Sequence, residues 1–214
     1  MNDFQHNGIL SLPLEYFPGI PAPVRTEVLR KSIHMLVALV PFVAALNQGI
    51  TLALLASGTI IYTYAELLRC RGVRVVLISR LTAMASRERD LGKFVLGPVT
   101  LGLGTMLALL LYPAPAASIA IFALAFGDGL ASLVGKLFGR IRIPYTGGKT
   151  IIGSAACFAA IFFSARSVGA SLFTALAVAS VSTLVEMLPL KDLDNILLPL
   201  SAGTIAAVFG YLAV

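Results

Sequence analysis

Residues 115–138, PAASIAIFALAFGDGLASLVGKLF, decide how this chain is read. The run is apolar and long enough to cross a bilayer as a helix, which takes about 20 residues. Yet it carries Asp128 between two glycines and Lys136 near its end. The rest of the chain is built in the same way. Of 214 residues, 58% are hydrophobic and only 12% are charged, where soluble domains carry about 25% charged residues. This is the composition of an integral membrane protein with several spans. The apolar runs are long and continuous, whereas barrel strands alternate over about ten residues. Hydrocarbon admits no third solution, because every backbone polar group must be paired internally.

Working outward from this run, spans are predicted at 32–47, 49–68, 94–112, 115–138, 150–165, 168–188 and 195–213. The first is interrupted by Pro41 and the fifth is short. The expected fold is therefore all-α, a polytopic membrane protein of about seven transmembrane helices. Residues 1–26 read as an irregular, proline-rich lead-in, and 27–214 as one transmembrane helical domain. The lead-in lacks a basic start and a long apolar core, so it is not expected to be a signal peptide.

Orientation follows from basic residues, which favour the cytoplasmic side. With a cytoplasmic N-terminus, all but Arg166 of the 16 Lys and Arg residues fall inside. Within the basic loop 69–93, the part 73–85 reads equally as a surface helix or as a solvated linker. The net charge of +6 is explained by topology and anionic headgroups, and no nucleic-acid module is present. Cys70 and Cys157 lie too far apart in sequence and context to suggest a disulfide framework. Gly102, Gly104, Ala155 and Ala156 favour close helix packing, within or between chains. The oligomeric state is left open.

On this topology the ionisable residues that border or interrupt spans gather at one level. They are Arg30, Lys31, His34, Glu66, Arg69, Asp128, Lys136, Lys149, Glu186, Asp192 and Asp194. Such residues are costly inside a membrane and usually face a functional cavity, so a polar chamber open to the cytoplasm is expected. Snorkelling at helix ends is the alternative for Arg30, Arg69 and Lys191 taken singly. Arg30 and Lys31 share a helix face with His34 and suit phosphate oxygens, although His34 alone is also what a packed histidine looks like. Glu66 and Arg69, three apart, either pair with each other or leave Arg69 for phosphate.

The segment Gly147-Gly148-Lys149-Thr150 invites comparison with a nucleotide loop. A Walker A loop needs a glycine five residues before the glycine of its GK[ST], and Ile143 stands there. A helix start with glycines, a lysine and Thr150 near the cap is nonetheless an anion site. Gly127-Asp128-Gly129 places a carboxylate where backbone can approach a ligand closely. Glu186, Asp192, Asp194 and Asn195 supply hard oxygen donors. Mg²⁺ prefers one or two carboxylates with phosphates and waters. Cations for phosphate and acids for a divalent metal in one chamber point to phosphoryl or nucleotidyl transfer.

The ordered motifs EVLRKSIHM, YAELLR, GDGLASLVGKLFGR, GGKTIIGS and EMLPLKDLDNILLPL, spanning about residues 25–200, resemble the CTP-dependent lipid kinases. That family includes dolichol kinase, phytol kinase and the yeast-type diacylglycerol kinase, and is similar more distantly to phosphatidate cytidylyltransferases. The resemblance implies CTP as co-substrate, Mg²⁺ or another divalent cation as cofactor, and a membrane lipid alcohol as acceptor. It implies nucleotide or phosphate contacts from Arg30, Lys31, His34, Arg69, Lys136, Gly148, Lys149, Thr150 and Asn195. Asp128, Asp194 and Glu186 are the expected metal ligands, and Asp128 or Asp192 the group that orients or deprotonates the acceptor hydroxyl. Phytol and dolichol kinases tend to have Glu where this chain has Ile152, which leans the acceptor toward diacylglycerol. A cytidylyltransferase is the rival enzyme, and a lipid transporter or scramblase the rival of another class. A bacterial plasma membrane is the expected location.

Overall fold

The computed structural model describes residues 22–73 and 93–212. The lead-in before residue 22 and the basic segment 74–92, where a surface helix or a solvated linker was expected, lie outside the described residues. The chain is all-helical and polytopic. Its helices are α1 (Ala22–Met35), α2 (Val40–Leu46), α3 (Gln48–Cys70), α4 (Gly97–Leu111), α5 (Ala116–Phe122), α6 (Gly129–Phe138), α7 (Ile151–Ser167), α8 (Leu172–Met187) and α9 (Asp194–Leu212). Among the described residues, four continuous stretches are long and apolar enough to cross a membrane: Val24–Leu46, Gln48–Cys70, Ala116–Phe138 and Lys191–Gly210. Three shorter apolar helices, α4, α7 and α8, lie where the remaining spans were expected.

The first span starts earlier than expected, because its polar residues are part of the helix rather than a prelude to it. Helix α1 begins ahead of the boundary at residue 26. Pro41 does not break the span. A short 3-10 segment, Leu36–Leu39, precedes it, and Pro41 falls in the first turn of α2, where its missing N–H breaks no helical bond. Asn47 then turns the chain, its side chain accepting from the Ile50 N–H at 2.9 Å to cap α3.

The α5–α6 span is central: 67% of its apolar window is buried, against 17% for each of the two N-terminal spans. Around it, α9 packs on α4, α5 and α8, while α7 packs on α6 and α8. The contacts are made by small residues. Ala120, Ala123, Ala125, Ala175, Ala179 and Ala202 are fully buried, and close backbone approach is how helices associate where burial from water is no driving force. Large apolar side chains such as Leu46, Leu54, Ile60, Leu110, Phe163 and Leu184 point outward, as a lipid environment allows.

Two glycines show how tight the contacts are. A Cβ on Gly102 would lie 2.2 Å from the Thr59 hydroxyl of α3, and one on Gly104 only 1.9 Å from the Asn195 carbonyl of α9. That carbonyl lacks its usual helical donor, because residue 199 is proline. Their packing role is within the chain. Ala155, by contrast, is exposed.

Gly104→Ala is therefore expected to destabilise the fold by about 1–3 kcal/mol, read as a lower melting temperature of the detergent-solubilised protein. Gly58→Ala is the control. Its added methyl meets nothing within 4 Å, so the melting temperature should stay level or rise.

Candidate active site

The centre of the site is a single wide turn in the central span. Residues Ala123–Asp128 form a π-helical segment, a feature that often marks functional positions in helices. Its glycine serves packing. A Cβ on Gly127 would meet Ile161 of α7 at 2.8 Å, and one on Gly129 would meet Met35 of α1 at 2.7 Å. Neither glycine lines the cavity described below. The expectation that they let backbone approach a ligand is thus corrected: they let α1 and α7 close on the carboxylate between them.

Helix α1 meets this turn with one polar face, since Glu27, Lys31 and His34 are spaced four and three apart. Lys31 donates to Asp128. His34 Nε2 lies 2.9 Å from the Leu124 carbonyl, which can only accept, so Nε2 carries the proton. The same nitrogen is 3.4 Å from Asp128. All three side chains are buried. One turn earlier, Glu27 accepts from Arg30 and from Lys136 of α6, the latter at 2.6 Å.

The loop after α6 folds back as a clip. Ile143 N–H donates to the Lys149 carbonyl at 2.8 Å, and Ile151 N–H to the Ile141 carbonyl at 3.1 Å. Gly147 and Gly148 take φ of +70° and +98°, which only glycine adopts without strain. Thr150 caps α7, accepting from the Gly153 N–H at 3.2 Å. It is wedged against α6, where a Cβ on Gly135 or Gly139 would lie within 2.9 Å or 2.6 Å of its hydroxyl. Two N–H groups of the first turn of α7 are thereby satisfied, so anion binding here rests on side chains more than on the helix end. Lys149 reaches across to Glu186 at the end of α8. Burial works against the Lys149 charge, but the adjacent Glu186 carboxylate outweighs it and raises the lysine pKa.

These elements enclose a cavity of about 660 Å³, within the range of small-molecule sites. Of the expected residues, Asp128, Lys136, Gly148, Lys149, Thr150, Glu186 and Asp194 line it. Others do not line it. Lys31 and His34 stand behind Asp128, Arg30 is held by Glu27, and Asp192 is outside the lining. Asn195 ties α9 to α4 through the Gly97 carbonyl at 3.2 Å and Thr100 at 3.0 Å. Arg69 makes two 2.7 Å bonds to Glu66 and one of 2.6 Å to the Lys93 carbonyl. Glu66 in turn accepts from the Val95 N–H at 2.9 Å. This is the internal pairing, a strut for the chain entering α4, and Arg69 does not line the cavity.

Among the described residues no three His, Cys, Asp or Glu side chains form a metal-binding group. Of the expected metal set, Lys31 pairs with Asp128 and Lys149 with Glu186, and Asp128, Asp194 and Glu186 face one cavity. Sequence reasoning missed Glu27 and Arg142, both of which line it. Glu27 was detectable, since it lies one helical turn before Lys31 on the same face. Arg142 had no signal beyond its charge.

Breaking the central pair should be costly. Lys31→Met leaves Asp128 buried without its cation and is expected to lose about 3–5 kcal/mol of stability. Adding Asp128→Asn should recover part of the loss in melting temperature.

No family model matches the chain, and no solved structure matches it. Curated relatives do. Phytol kinase 1, chloroplastic, of Arabidopsis thaliana is 28% identical over 209 residues, covering 88% of this chain and 68% of that protein. Farnesol kinase, chloroplastic, of the same plant is 27% identical over 207 residues, covering 87% and 65%. A probable phytol kinase of Triticum aestivum is 26% identical over 144 residues, covering 59% and 48%. The chain thus spans about half to two thirds of the length of these relatives. The resemblance carried by its motifs is upheld: over most of its length this membrane protein is similar to plant kinases named for isoprenoid alcohols.

Proposed function

We propose that the chain is a phosphotransferase that moves the terminal phosphoryl group of CTP to the hydroxyl of a membrane lipid alcohol. The observation that carries this is the cavity itself, where Lys136, Lys149 and Arg142 face Asp128 and Asp194. Its volume suits a nucleotide, and its cations suit a triphosphate. The names of the relatives supply the reaction class. CTP as donor remains what the sequence resemblance implies.

Phosphoryl transfer needs little covalent chemistry from a protein and much positioning and charge stabilisation. Lys149 and Lys136 are held in place by Glu186 and Glu27 and are available to triphosphate oxygens. Glu27 keeps Arg30 as a partner when phosphate draws Lys136 away. Asp194 and Asp128 fit a divalent cation that completes its shell with phosphates and water. Such an ion would supply neutralisation of phosphate charge. Asp194 has one oxygen fixed by the Asn195 N–H at 2.9 Å, so the carboxylate is oriented in advance.

An isoprenoid alcohol is the better-supported acceptor. The leaning toward diacylglycerol rested on Ile152, and that side chain is exposed on α7 and does not line the cavity. By the distribution of basic residues the cavity opens on the cytoplasmic face. The relatives are named as chloroplast proteins, which lends a bacterial plasma membrane no support. The opposite face offers little for a transporter. Arg166, the basic residue expected there, donates to the Ala170 carbonyl that follows its own helix.

The test is label transfer in detergent with phytol, farnesol or diacylglycerol, and separately with phosphatidate as the acceptor a cytidylyltransferase would need. With γ-labelled CTP the label should appear in a lipid monophosphate, leaving CDP. Release of labelled pyrophosphate, with label from α-labelled CTP in the lipid, would instead establish a cytidylyltransferase. Lys149→Ala should lower kcat/KM by roughly 10²–10³-fold in a protein that still inserts and melts cooperatively.

A further inference from the structure

Next to Lys149 the cavity wall includes Ser154 and Glu186, and these belong to a group of buried polar atoms with no partner whose other members, Ser182 and Thr183, lie behind that wall. Ser154 Oγ on α7, and Ser182 Oγ, Thr183 Oγ1 and Glu186 Oε2 on α8, are all buried and make no hydrogen bond. They belong together. Ser182 and Thr183 precede Glu186 by four and three residues and so share its helix face. Ser154 stands one turn before Cys157, which is fully buried on the same helix. Helices α7 and α8 pack directly on each other, and Ser154 and Glu186 both line the cavity.

Buried polar groups in folded proteins are nearly always paired, and the other hydroxyls of this bundle follow that rule. Thr59, Thr63, Thr105 and Ser164 bond the carbonyl four residues back in their own helices, the usual resort of such residues in apolar surroundings. Ser154, Ser182 and Thr183 do not. Their hydroxyls make no such bond, and Glu186 Oε2 nearby on α8 is likewise without a partner. The Glu186 carboxylate is divided: Lys149 donates to Oε1, and Oε2 is left over.

We propose that this recess is the subsite for the acceptor's hydroxyl group, with Glu186 Oε2 as its hydrogen-bond and proton acceptor. The inference rests on the phosphotransferase reading above and names the acceptor-binding residues for it. Lys149 then joins the two reactants, since it contacts the triphosphate and the carboxylate that holds the nucleophile. In the transfer, the lipid oxygen forms a bond to the γ-phosphorus. The bond from that phosphorus to the β,γ-bridging oxygen breaks, its electron pair leaving with CDP. The hydroxyl proton passes to Glu186 Oε2. This reassigns the base role expected of Asp128 or Asp192. Asp128 is assigned to the divalent cation above, and Asp192 does not line the cavity.

The test uses the full chain in detergent, with phytol and CTP varied in turn. Ser182→Ala and Thr183→Val should each raise the KM for phytol by about tenfold and leave the KM for CTP unchanged. Because each removes an unpaired polar atom, neither should lower the melting temperature without ligand. Glu186→Gln should cut kcat at least a hundredfold while CTP still raises the melting temperature. An unchanged phytol KM in both hydroxyl variants, or a drop in their ligand-free melting temperature, means the recess holds structural water, and the proposal fails. It fails equally if Glu186→Gln turns over at the full rate. If the unsubstituted chain neither gains stability with CTP nor transfers phosphate to any alcohol, the phosphotransferase reading itself is what falls.

Discussion

The architecture depends on a buried lysine meeting a buried aspartate. Lys31 and Asp128 are 97 residues apart in sequence and both almost wholly inaccessible. Either charge alone in this setting would be strongly destabilising, because ions lose their hydration on burial and recover it only through a close partner. The pair therefore obliges α1 to dock on the central span at the π-helical turn. His34 secures the same junction by donating to the Leu124 carbonyl of that turn. Gly127 and Gly129 allow the flanking helices to come close enough for it to form.

Two further cation–carboxylate pairs extend the same principle. Lys136 binds Glu27 from 109 residues away, and Lys149 binds Glu186 across 37. Each joins elements that the chain visits at different times, and each sits at the cavity wall. Burial of acids among apolar helices is tolerated because a base is delivered to each. The consequence is a polar chamber whose cations are ordered before any ligand arrives. In the proposed reaction, triphosphate oxygens would compete for these lysines on favourable terms, since the lysines are already partly desolvated and line one space. Preordering of this kind fits a reaction that depends on positioning rather than on a covalent intermediate.

Much of the fold was legible because apolar runs of this length in water-poor surroundings have few alternatives. The seven stretches, the helix cap at Thr150 and the absence of a Walker A loop could all be read from local pattern. The site was legible as an inventory: Asp128, Lys136, Lys149, Glu186 and Asp194 do meet in one cavity. Their partners were less so. Arg69 and Asn195 have the residue types of a nucleotide site, yet they serve as struts between helices. A guanidinium three residues from a glutamate reads the same in sequence whether it faces phosphate or its neighbour. Glu27 was passed over because an acid in a basic stretch looks like surface until its helix is known to be packed.

By itself, then, the sequence determined that the chain crosses a membrane repeatedly as helices, and that its charges collect toward one face. Both follow from the cost of unpaired backbone and of charge in hydrocarbon, which are local penalties. Only the tertiary structure decided which charges neutralise each other, which glycines serve packing and which hydroxyls are left without partners. Those outcomes depend on distances between helices far apart in the chain. A difference of one or two ångströms in helix approach separates an ion pair from a ligand contact.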